Sequence, residues 1–538
     1  MKITKLLLFP LYKSNLYFLL IVLLLGVHTS SFAKSSSQIV DPASRVFESV
    51  RANPLALHAF LLRMPKGADL HSHLSGAVYA ETYLHNAVDD QLCVDLTKLS
   101  LLEPIASTGN AQKPVCQEGG KPVASVLDDQ NLYDALVDSL SMRDFLASAG
   151  ISGHDHFFAS FAKFNAISSK HTGEWLVEVA NRAALQNEQY LELMQTGNFD
   201  HTKKIAEETG WLNEFAAQRN ALLAKGLRDD IGIYSRKLDQ DEKLQKQLGH
   251  CGEPLALPAC QVKIRYLYQI QRGFPRQRVF AQTLLGFEIA SHDSRVVGIN
   301  LVMPEDGRLA MQDYLLQMQM IGFLHSVYPK VHISLHAGEL SHGLVSPEQL
   351  CCHVRLAVEV AHAERIGHGV DVMYEQKPYE LLKELAAKHV LIETNLTSNA
   401  VILGIENQDH PFPIERQFGV PLALSTDDEG ISRIDLTHEF ERAVNSYHLN
   451  YADLKQMVRA SLEHSFLPGV SLWAKVDSFE HPVSACAIDS VGEPFPSSAC
   501  AQLLYSSEKA EQQWQLEKRF QEFEYSLLET TDEAPRRR

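Results

Sequence analysis

Four short motifs hold the side chains whose types and spacing are best suited to chemistry, and each one follows an apolar run. They are His71-Ser72-His73, His336-Ala337-Gly338-Glu339, Arg365-Ile366-Gly367-His368-Gly369 and Ser425-Thr426-Asp427-Asp428. Imidazole and carboxylate groups are ligands of catalytic zinc, which commonly binds three protein side chains and a water. The motifs therefore indicate metal-assisted hydrolysis if the fold brings them together.

The first motif places two histidines two residues apart at the end of a predicted strand. Side chains at that spacing point to the same side of a strand, so His71 and His73 are able to converge on one ion. The alternative interpretation is a pair of histidines that only caps the strand. The other three motifs favour the interpretation of His71 and His73 as metal ligands.

The second motif offers a third histidine and a carboxyl group. His336 is able to reach the same cavity, and Gly338 lets the backbone bend so that Glu339 projects into it. A partly desolvated carboxyl there would have a raised pKa and would act as a proton donor, although Glu339 is equally suited to capping the next helix. His332 shares the strand face of His336 but lies deeper, and we interpret it as a core or supporting histidine.

The last two motifs add a histidine between glycines and a pair of aspartates. The glycines beside His368 allow close approach of backbone, substrate or water. Asp427 and Asp428 are typical of a turn or a helix cap, but one is able to complete a metal site while the other faces a substrate.

The elements that must position these motifs alternate between strands and helices. Strands are predicted over residues 67–74, 189–194, 262–270, 296–303, 331–338, 365–369, 390–395 and 421–427, and helices over 174–186, 311–325, 347–361 and 378–388. This alternation favours a parallel sheet. Because ionisable residues end at least four strands and no G-x-G-x-x-G follows the first, we predict an α/β fold, a (β/α)8 barrel with inserted loops and extra helices, over an open doubly wound sheet.

The domain organisation follows from the same pattern. We predict a helical lead-in at residues 34–63, a barrel at 64–470 with insertions near 86–134 and 236–261, and an irregular segment with a terminal helix at 471–538. Residues 1–33 have lysines before an apolar run and a small-x-small sequence ending at Ala33, which is typical of a cleaved signal peptide. The apolar run is too short for a membrane anchor, so we expect export to the periplasm or the medium with no stable membrane anchor after cleavage.

The net charge limits the classes of binding partner, and the cysteine positions indicate which disulfides are expected. The net charge of -17 disfavours nucleic acid, which is bound through clustered lysine and arginine, and leaves a small neutral substrate compatible; the sequence favours no particular oligomeric state. Three cysteine pairs are suited to stapling surface loops in an oxidising compartment: 93 with 116, 251 with 260, and 486 with 500. We expect the adjacent Cys351 and Cys352 to be buried free thiols in a helix.

Together the motifs resemble the adenosine deaminase family. The resemblance rests on Met64-Pro65-Lys66, Asp69-Leu70-His71-Ser72-His73-Leu74-Ser75-Gly76-Ala77, His336 to Glu339, Arg365 to Gly369, Ser398-Asn399 and Ser425 to Asp428. It covers residues 64–464, and the lead-in and insertions are similar to those of the secreted adenosine deaminase growth factor branch.

The resemblance implies a role for each matched residue. It implies that His71, His73, His336 and Asp427 bind one zinc ion, which is completed by a water. His368 would orient or deprotonate this water, Glu339 would protonate the purine ring nitrogen, and Asp428 would bind an imidazole nitrogen of the purine. The implied reaction converts adenosine, and by extension 2′-deoxyadenosine, to inosine and ammonia, since zinc supplies hydroxide near neutral pH.

Two residues depart from the family pattern on the substrate side. Ser75, which together with Gly76 we assign to substrate binding, stands where the family has an aspartate that contacts the ribose. Met303 falls where a glycine amide is expected to meet the purine.

These departures keep other functions open. A deaminase of adenine or of another aminopurine would share the metal chemistry. A secreted signalling or binding protein on the same scaffold is a further alternative, which the retention of all seven site residues opposes. Cytidine-type deaminases are set aside because the sequence has no P-C-x-x-C.

Overall fold

The structure is a computed structural model that describes residues 41–105, 115–148 and 150–532. The predicted signal peptide lies outside the described residues. Within them, no helix combines the length and the apolar character needed to span a bilayer.

Eight parallel strands form the centre of the protein. They are β1 (Gly67–His73), β2 (Glu188–Thr196), β3 (Lys263–Gln271), β4 (Val296–Val302), β5 (His332–Ala337), β6 (Arg365–His368), β7 (Leu391–Thr394) and β8 (Leu422–Leu424). Each strand pairs with the next one in chain order. The strands are almost entirely buried, because helices cover a parallel sheet, and this explains why they appear in the sequence as continuous apolar runs.

The sheet closes on itself beyond the end of β8. Asp427 pairs with Ser72 of β1, the backbone nitrogen of His73 donates to the Asp427 carbonyl at 2.9 Å, and the Asp427 nitrogen donates to the His71 carbonyl at 2.8 Å. The predicted (β/α)8 barrel is therefore confirmed. Its closing contact also brings the first and last motifs side by side.

Helices connect successive barrel strands. Between β1 and β3 they are Leu74–Ala77, Ala80–Asp89, Gln130–Leu140, Gly153–Phe164, Thr172–Leu185, Asp200–Thr209, Phe215–Ala224 and Asp229–Leu248. From β3 to β8 they are Arg276–His292, Arg308–Val327, His353–Glu359, Pro378–Ala387, Leu396–Leu403 and Phe412–Gln417. After β8 come Glu429–Ser432, Leu436–Tyr447 and Tyr451–Glu463.

The remaining elements lie outside this repeat. Helices Pro42–Val50 and Pro54–Arg63 precede β1, the first insertion contains a three-stranded antiparallel sheet, and a hairpin with helices Ser498–Ser506 and Glu508–Asp532 follows the barrel. The small sheet comprises Cys93–Asp95, Ser100–Leu102 and Gly120–Pro122, and the hairpin comprises Trp473–Lys475 and Ser478–Pro482.

Lys66 holds the lead-in helices against the barrel. Its fully buried ammonium donates to the carbonyls of Leu61 and Gln186, both at 2.6 Å, and to that of Met64 at 3.2 Å. Leu61 lies in the last turn of one helix and Gln186 directly follows another. A cation at two helix C-termini satisfies carbonyls that have no partner within the helix, and so fixes where β1 begins.

The disulfides agree with three of the sequence pairings and correct the fourth prediction. Cys93 bonds to Cys116, Cys251 to Cys260 and Cys486 to Cys500. Cys351 and Cys352 are not free thiols but bond to each other. The predicted helix over 347–361 was wrong at its start, because residues 347–349 form a 3-10 turn and the helix begins only at His353, which leaves the two half-buried cysteines in a bend.

Candidate metal and catalytic site

Four side chains, placed at the ends of three different strands, converge at the carboxyl-terminal rim of the barrel. His71 and His73 end β1, His336 lies near the end of β5, and Asp427 follows β8. The Nε2 atom of His336 lies 3.1 Å from Nε2 of both His71 and His73. The Oδ1 atom of Asp427 lies 3.3 Å from Nε2 of His71 and 3.1 Å from Nε2 of His73.

A hydrogen bond on the far side of each ring fixes which nitrogen faces the centre. The Nδ1 atoms of His71, His73 and His336 lie 2.6, 2.8 and 2.7 Å from side-chain oxygens of Glu393, Gln269 and Asn300. The Asn300 atom is an acceptor because it also receives the backbone N–H of His336 at 3.1 Å. Each Nδ1 therefore carries the proton, and each Nε2 presents a lone pair to the centre.

Three lone pairs and a carboxylate oxygen that face one another in a buried space repel unless a cation lies between them. Ligands held about 2.0–2.1 Å from one zinc ion are separated by about 3.3 Å. The separations of 3.1 to 3.3 Å seen here match that value. The four residues thus fit a divalent metal, and all four are buried.

Hydrogen bonds to its side chain and to the preceding residue position Asp427. Its Oδ2 accepts the hydroxyl of Ser398 at 2.6 Å, which leaves Oδ1 for the centre. Asp69 bonds the preceding residue, since its Oδ2 accepts the Thr426 hydroxyl at 2.6 Å while its Oδ1 accepts the His71 nitrogen at 3.0 Å. This carboxylate joins the chain before Asp427 to the strand that carries His71.

Glu339 lies beside the centre and is oriented through its own backbone. Glu305 accepts the nitrogens of Gly338 at 3.1 Å and Glu339 at 2.8 Å, and it lies 2.5 Å from Nδ1 of His353. Although burial alone would raise the pKa of Glu305, His353 and Arg272 lower it to about 2. Burial, together with the charges of Asp427 and Glu305, raises the pKa of Glu339 well above its usual value, which favours the protonated form of this carboxyl.

His368 faces the same space from the end of β6. Its ring is fully buried, and Nε2 lies 3.7 Å from Glu339 Oε1 and 3.9 Å from Asp427 Oδ2. Among the described residues this nitrogen has no hydrogen-bond partner. It is therefore available to a water or a substrate atom in the site.

Asp428, Ser75 and Gly76 form the next part of the rim. Asp428 is buried, its Oδ1 has no hydrogen-bond partner among the described residues, and burial raises its pKa to about 7. A Cβ atom added at Gly76 would lie 1.5 Å from that oxygen, so only glycine fits beside this carboxyl. Ser75 is half-buried, and its carbonyl accepts the Tyr83 hydroxyl.

Met303 occupies a backbone conformation that favours glycine. Its φ of 82° lies in the left-handed region, which is costly for a residue with a bulky side chain. Its terminal methyl group lies against Gly273, where an added Cβ would come within 2.8 Å of it, and the residue stays 39% exposed. The backbone angle is one that glycine adopts without strain, in agreement with the glycine that the resemblance leads us to expect here.

This conformation yields a stability prediction. Met303→Gly is expected to be more stable than Met303→Ala by about 1 kcal/mol, because alanine keeps the Cβ atom that is strained at positive φ while both variants lose the same methionine contacts. Thermal unfolding of the two variants measures the difference. A melting temperature of the alanine variant equal to or above that of the glycine variant would contradict the backbone assignment.

Sequence reasoning misplaced one histidine and missed the supporting residues. His332 is neither a core nor a supporting histidine, because it begins β5 at the opposite end of the barrel, is half exposed and pairs with Glu364 at 2.9 Å. The partners that orient the site were not predicted: Gln269, Asn300, Glu305, Glu393 and His410. Only Glu393 carried a signal, since it lies in the predicted strand 390–395, shortly before the Ser398-Asn399 pair on which the resemblance partly rests.

Comparison with known proteins finds similarity to deaminases over part of the chain. The family model described as "Adenosine deaminase" matches residues 241–474. An adenosine deaminase of Clostridium perfringens is 34% identical over 135 residues, which cover 25% of this chain and 37% of that protein. One from Shewanella loihica is 31% identical over 189 residues, which cover 32% of this chain and 54% of that protein. The chain thus spans about a third to a half of the length of these curated relatives.

Solved structures of low identity were also found. An adenine deaminase from Arthrobacter aurescens matches with a TM-score of 0.46 at 15% identity and covers 75% of this chain and 94% of that one. A zinc-bound cog1816 amidohydrolase from Burkholderia ambifaria matches with a TM-score of 0.49 at 15% identity and covers 88% of this chain and 94% of that one.

A closed parallel barrel with three histidines and an aspartate converging at its carboxyl-terminal rim is typical of metal-dependent hydrolases. Residues 241–474 match the adenosine deaminase family model, and parts of the chain are similar to curated adenosine deaminases.

Proposed function

We propose that this chain is a zinc-dependent deaminase that hydrolyses adenosine and 2′-deoxyadenosine to inosine or deoxyinosine and ammonia. One observation carries the proposal: three imidazole nitrogens and an aspartate oxygen lie within 4.8 Å of one another, four of their separations being 3.1 to 3.3 Å, with a carboxyl, a histidine and a second aspartate beside them. The curated adenosine deaminases that the chain resembles support the choice of substrate.

Each residue has a distinct task in this reaction. A zinc ion held by His71, His73, His336 and Asp427 would lower the pKa of a bound water toward 7 and so supply a nucleophile at neutral pH. Water adds to C6 of the purine, and the amino group leaves as ammonia. Glu339, which is protonated before the reaction, donates its proton to the adjacent ring nitrogen as charge develops there.

Two further residues act on the water and the base. His368 holds the attacking water with its free Nε2, which faces the site. Asp428 meets a nitrogen of the purine imidazole ring with its unpaired Oδ1. A buried carboxyl that stays unpaired in the protein is stabilised by a ligand that offers it a hydrogen bond, so Asp428 selects a base with a nitrogen at that position.

A second substrate class is favoured by one residue. Ser75 replaces the aspartate that meets the ribose in the family pattern, and a hydroxyl makes a weaker contact with a sugar than a carboxylate does. Adenine or another aminopurine without a sugar would lose less from this replacement. The metal and proton-transfer residues are the same for both substrates.

The test is an ultraviolet assay of the purified mature protein against adenosine, 2′-deoxyadenosine, adenine and AMP. The proposal expects the highest kcat/KM with the two nucleosides. Turnover of adenine alone would favour the second class. Absence of ammonia release from all four compounds, in protein that contains one zinc ion per chain, would contradict a deaminase and favour the binding protein.

Export is part of the same proposal. Four disulfides among the described cysteines support an oxidising compartment, since such bonds are rare in reducing cytosol. Cleavage after Ala33 would leave Lys34 as the first residue, and N-terminal sequencing of protein recovered from the periplasm or medium tests this. Recovery of an uncleaved chain from the cytosol would contradict it.

A further inference from the structure

A chain of three buried side chains leads from the candidate site into the protein. Nδ1 of His368 lies 2.8 Å from the atom placed as Oδ1 of Asn399, and the atom placed as Nδ2 of the same amide lies 2.8 Å from Nε2 of His410. The three residues are at most 3% exposed. Because they are connected end to end, the proton position on one ring constrains the proton position on the other.

The proton position on His410 is set by the backbone. The nitrogen of Phe412 lies 3.1 Å from Nδ1 of His410 in hydrogen-bonding geometry, and a backbone N–H can only donate. Nδ1 of His410 is therefore an acceptor. Burial lowers the pKa of His410 to about 3, in agreement with a neutral ring. A neutral imidazole with a bare Nδ1 carries its proton on Nε2.

This proton decides the orientation of the Asn399 amide. With the amide nitrogen toward His410, both nitrogens of His410 would have to accept, which a neutral imidazole cannot do. The oxygen and nitrogen of an amide exchange places by rotation of the side chain, and the hydrogen bonds on either side determine their order. The order consistent with a neutral His410 is therefore the reverse of the placed one, with the Asn399 oxygen toward His410 and its nitrogen toward His368.

The same order fixes the proton on His368. The Asn399 nitrogen donates to Nδ1 of His368, so Nδ1 accepts and the proton of a neutral ring resides on Nε2. Nε2 is the atom that faces the candidate site. A series of hydrogen bonds thus connects the Phe412 backbone, through His410 and Asn399, to His368. It leaves the Nε2–H group of His368 directed into the site.

We propose that His410, acting through Asn399, is a positioning residue that fixes His368 as the Nε2–H tautomer, so that His368 meets the attacking water as a hydrogen-bond donor and not as a base. Its catalytic consequence rests on the proposed deaminase function, whereas the tautomer itself does not. The proposal separates the two roles that the family resemblance leaves open for His368, orientation and deprotonation of the water.

The tautomer is measured by ¹⁵N nuclear magnetic resonance of zinc-loaded protein labelled at histidine. The signals of His368 and His410 are assigned by their loss in His368→Gln and His410→Gln. The proposal expects protonated Nε2 and unprotonated Nδ1 in both rings. A proton on Nδ1 of His368 would overturn it, and this result is obtained whether or not any purine is a substrate.

Asn399→Asp is the sharpest variant, because it changes one amide NH₂ to an oxygen in the same space. A carboxylate only accepts, so His368 has to donate from Nδ1 and becomes the opposite tautomer. We expect the proton of His368 to move to Nδ1 and kcat to fall by up to about 10⁴-fold, the loss seen when a catalytic histidine is held in the wrong tautomer. KM and zinc content are expected to change little. An unchanged Nε2–H signal in this variant would overturn the proposal.

His410 provides the second pair of variants. His410→Leu removes the donor to Asn399, whereas His410→Gln keeps a donor and an acceptor on a side chain of similar reach. We expect the leucine variant to populate both tautomers of His368 and the glutamine variant to retain the Nε2–H form, with thermal unfolding recorded for both. A leucine variant that folds and retains a pure Nε2–H signal would show that His410 does not set the tautomer.

Discussion

Replacing Glu339 by glutamine lowers kcat on the best purine substrate by about 10²- to 10⁴-fold and leaves metal content near that of the unchanged protein. The carboxyl is assigned to proton donation, and a glutamine amide has almost the same shape but no acidic proton. Burial raises the pKa of Glu339 well above its usual value, which favours the neutral acid, and a glutamine amide is neutral as well. The fold is therefore expected to tolerate the change.

The measurement pairs steady-state kinetics with metal analysis of the same preparation. Glu364→Gln is the matched control, since Glu364 is a half-exposed glutamate that pairs with His332 at the opposite end of the barrel. The control is expected to keep both activity and metal. Loss of metal in the Glu339 variant would show that this carboxyl is a ligand, and the division of roles in the site would be wrong.

Replacing His336 by alanine is expected to remove both metal and activity. Its Nε2 lies 3.1 Å from Nε2 of His71 and 3.1 Å from Nε2 of His73. Both of these close nitrogen pairs at the centre therefore include His336. Substitutions of residues that only orient a ligand typically cost 10- to 100-fold in metal affinity, and loss of a ligand should exceed this range, at more than about 100-fold. Titration of metal-free protein with zinc measures the affinity directly.

His332→Ala on the same strand controls for the loss of a histidine from β5. His332 lies four residues earlier and is half exposed. This variant is expected to bind zinc as the unchanged protein does. Equal zinc affinity in the two alanine variants would mean that His336 is not a ligand.

The barrel was predictable from sequence because its strands are buried on both faces. The observed strands are three to nine residues long and appear in the sequence as apolar runs, and polar residues mark where each one ends at the rim. All eight predicted strands overlap the observed ones. His71 and His73 were therefore placed at a strand end from local sequence alone.

The hydrogen bonds that orient the site depend on tertiary contacts that no local pattern records. His71 meets Glu393 across 322 residues of sequence, and His73 meets Gln269 across 196. Neither partner lies in a motif with a recognisable spacing to its histidine. The pairing is fixed only when closure of the barrel directs side chains of β3 and β7 toward those of β1.

Local patterns also failed where tertiary geometry overrides them. The run 347–361 is apolar enough for one helix, yet Cys351 and Cys352 lie in a bend before the helix begins at His353. His332 lies on the same face of β5 as His336 but at the opposite end of the strand. Strand periodicity predicts the face on which a residue lies and not its position along the barrel axis.

The central claim is that His71, His73, His336 and Asp427 hold one metal ion between them. X-ray diffraction from crystals of zinc-loaded protein, recorded on both sides of the zinc absorption edge, tests it directly. The account predicts a single anomalous peak at about 2.0–2.2 Å from Nε2 of the three histidines and from the Asp427 carboxylate. A peak bound by other residues, or four side chains too far apart to contact one atom, would contradict it.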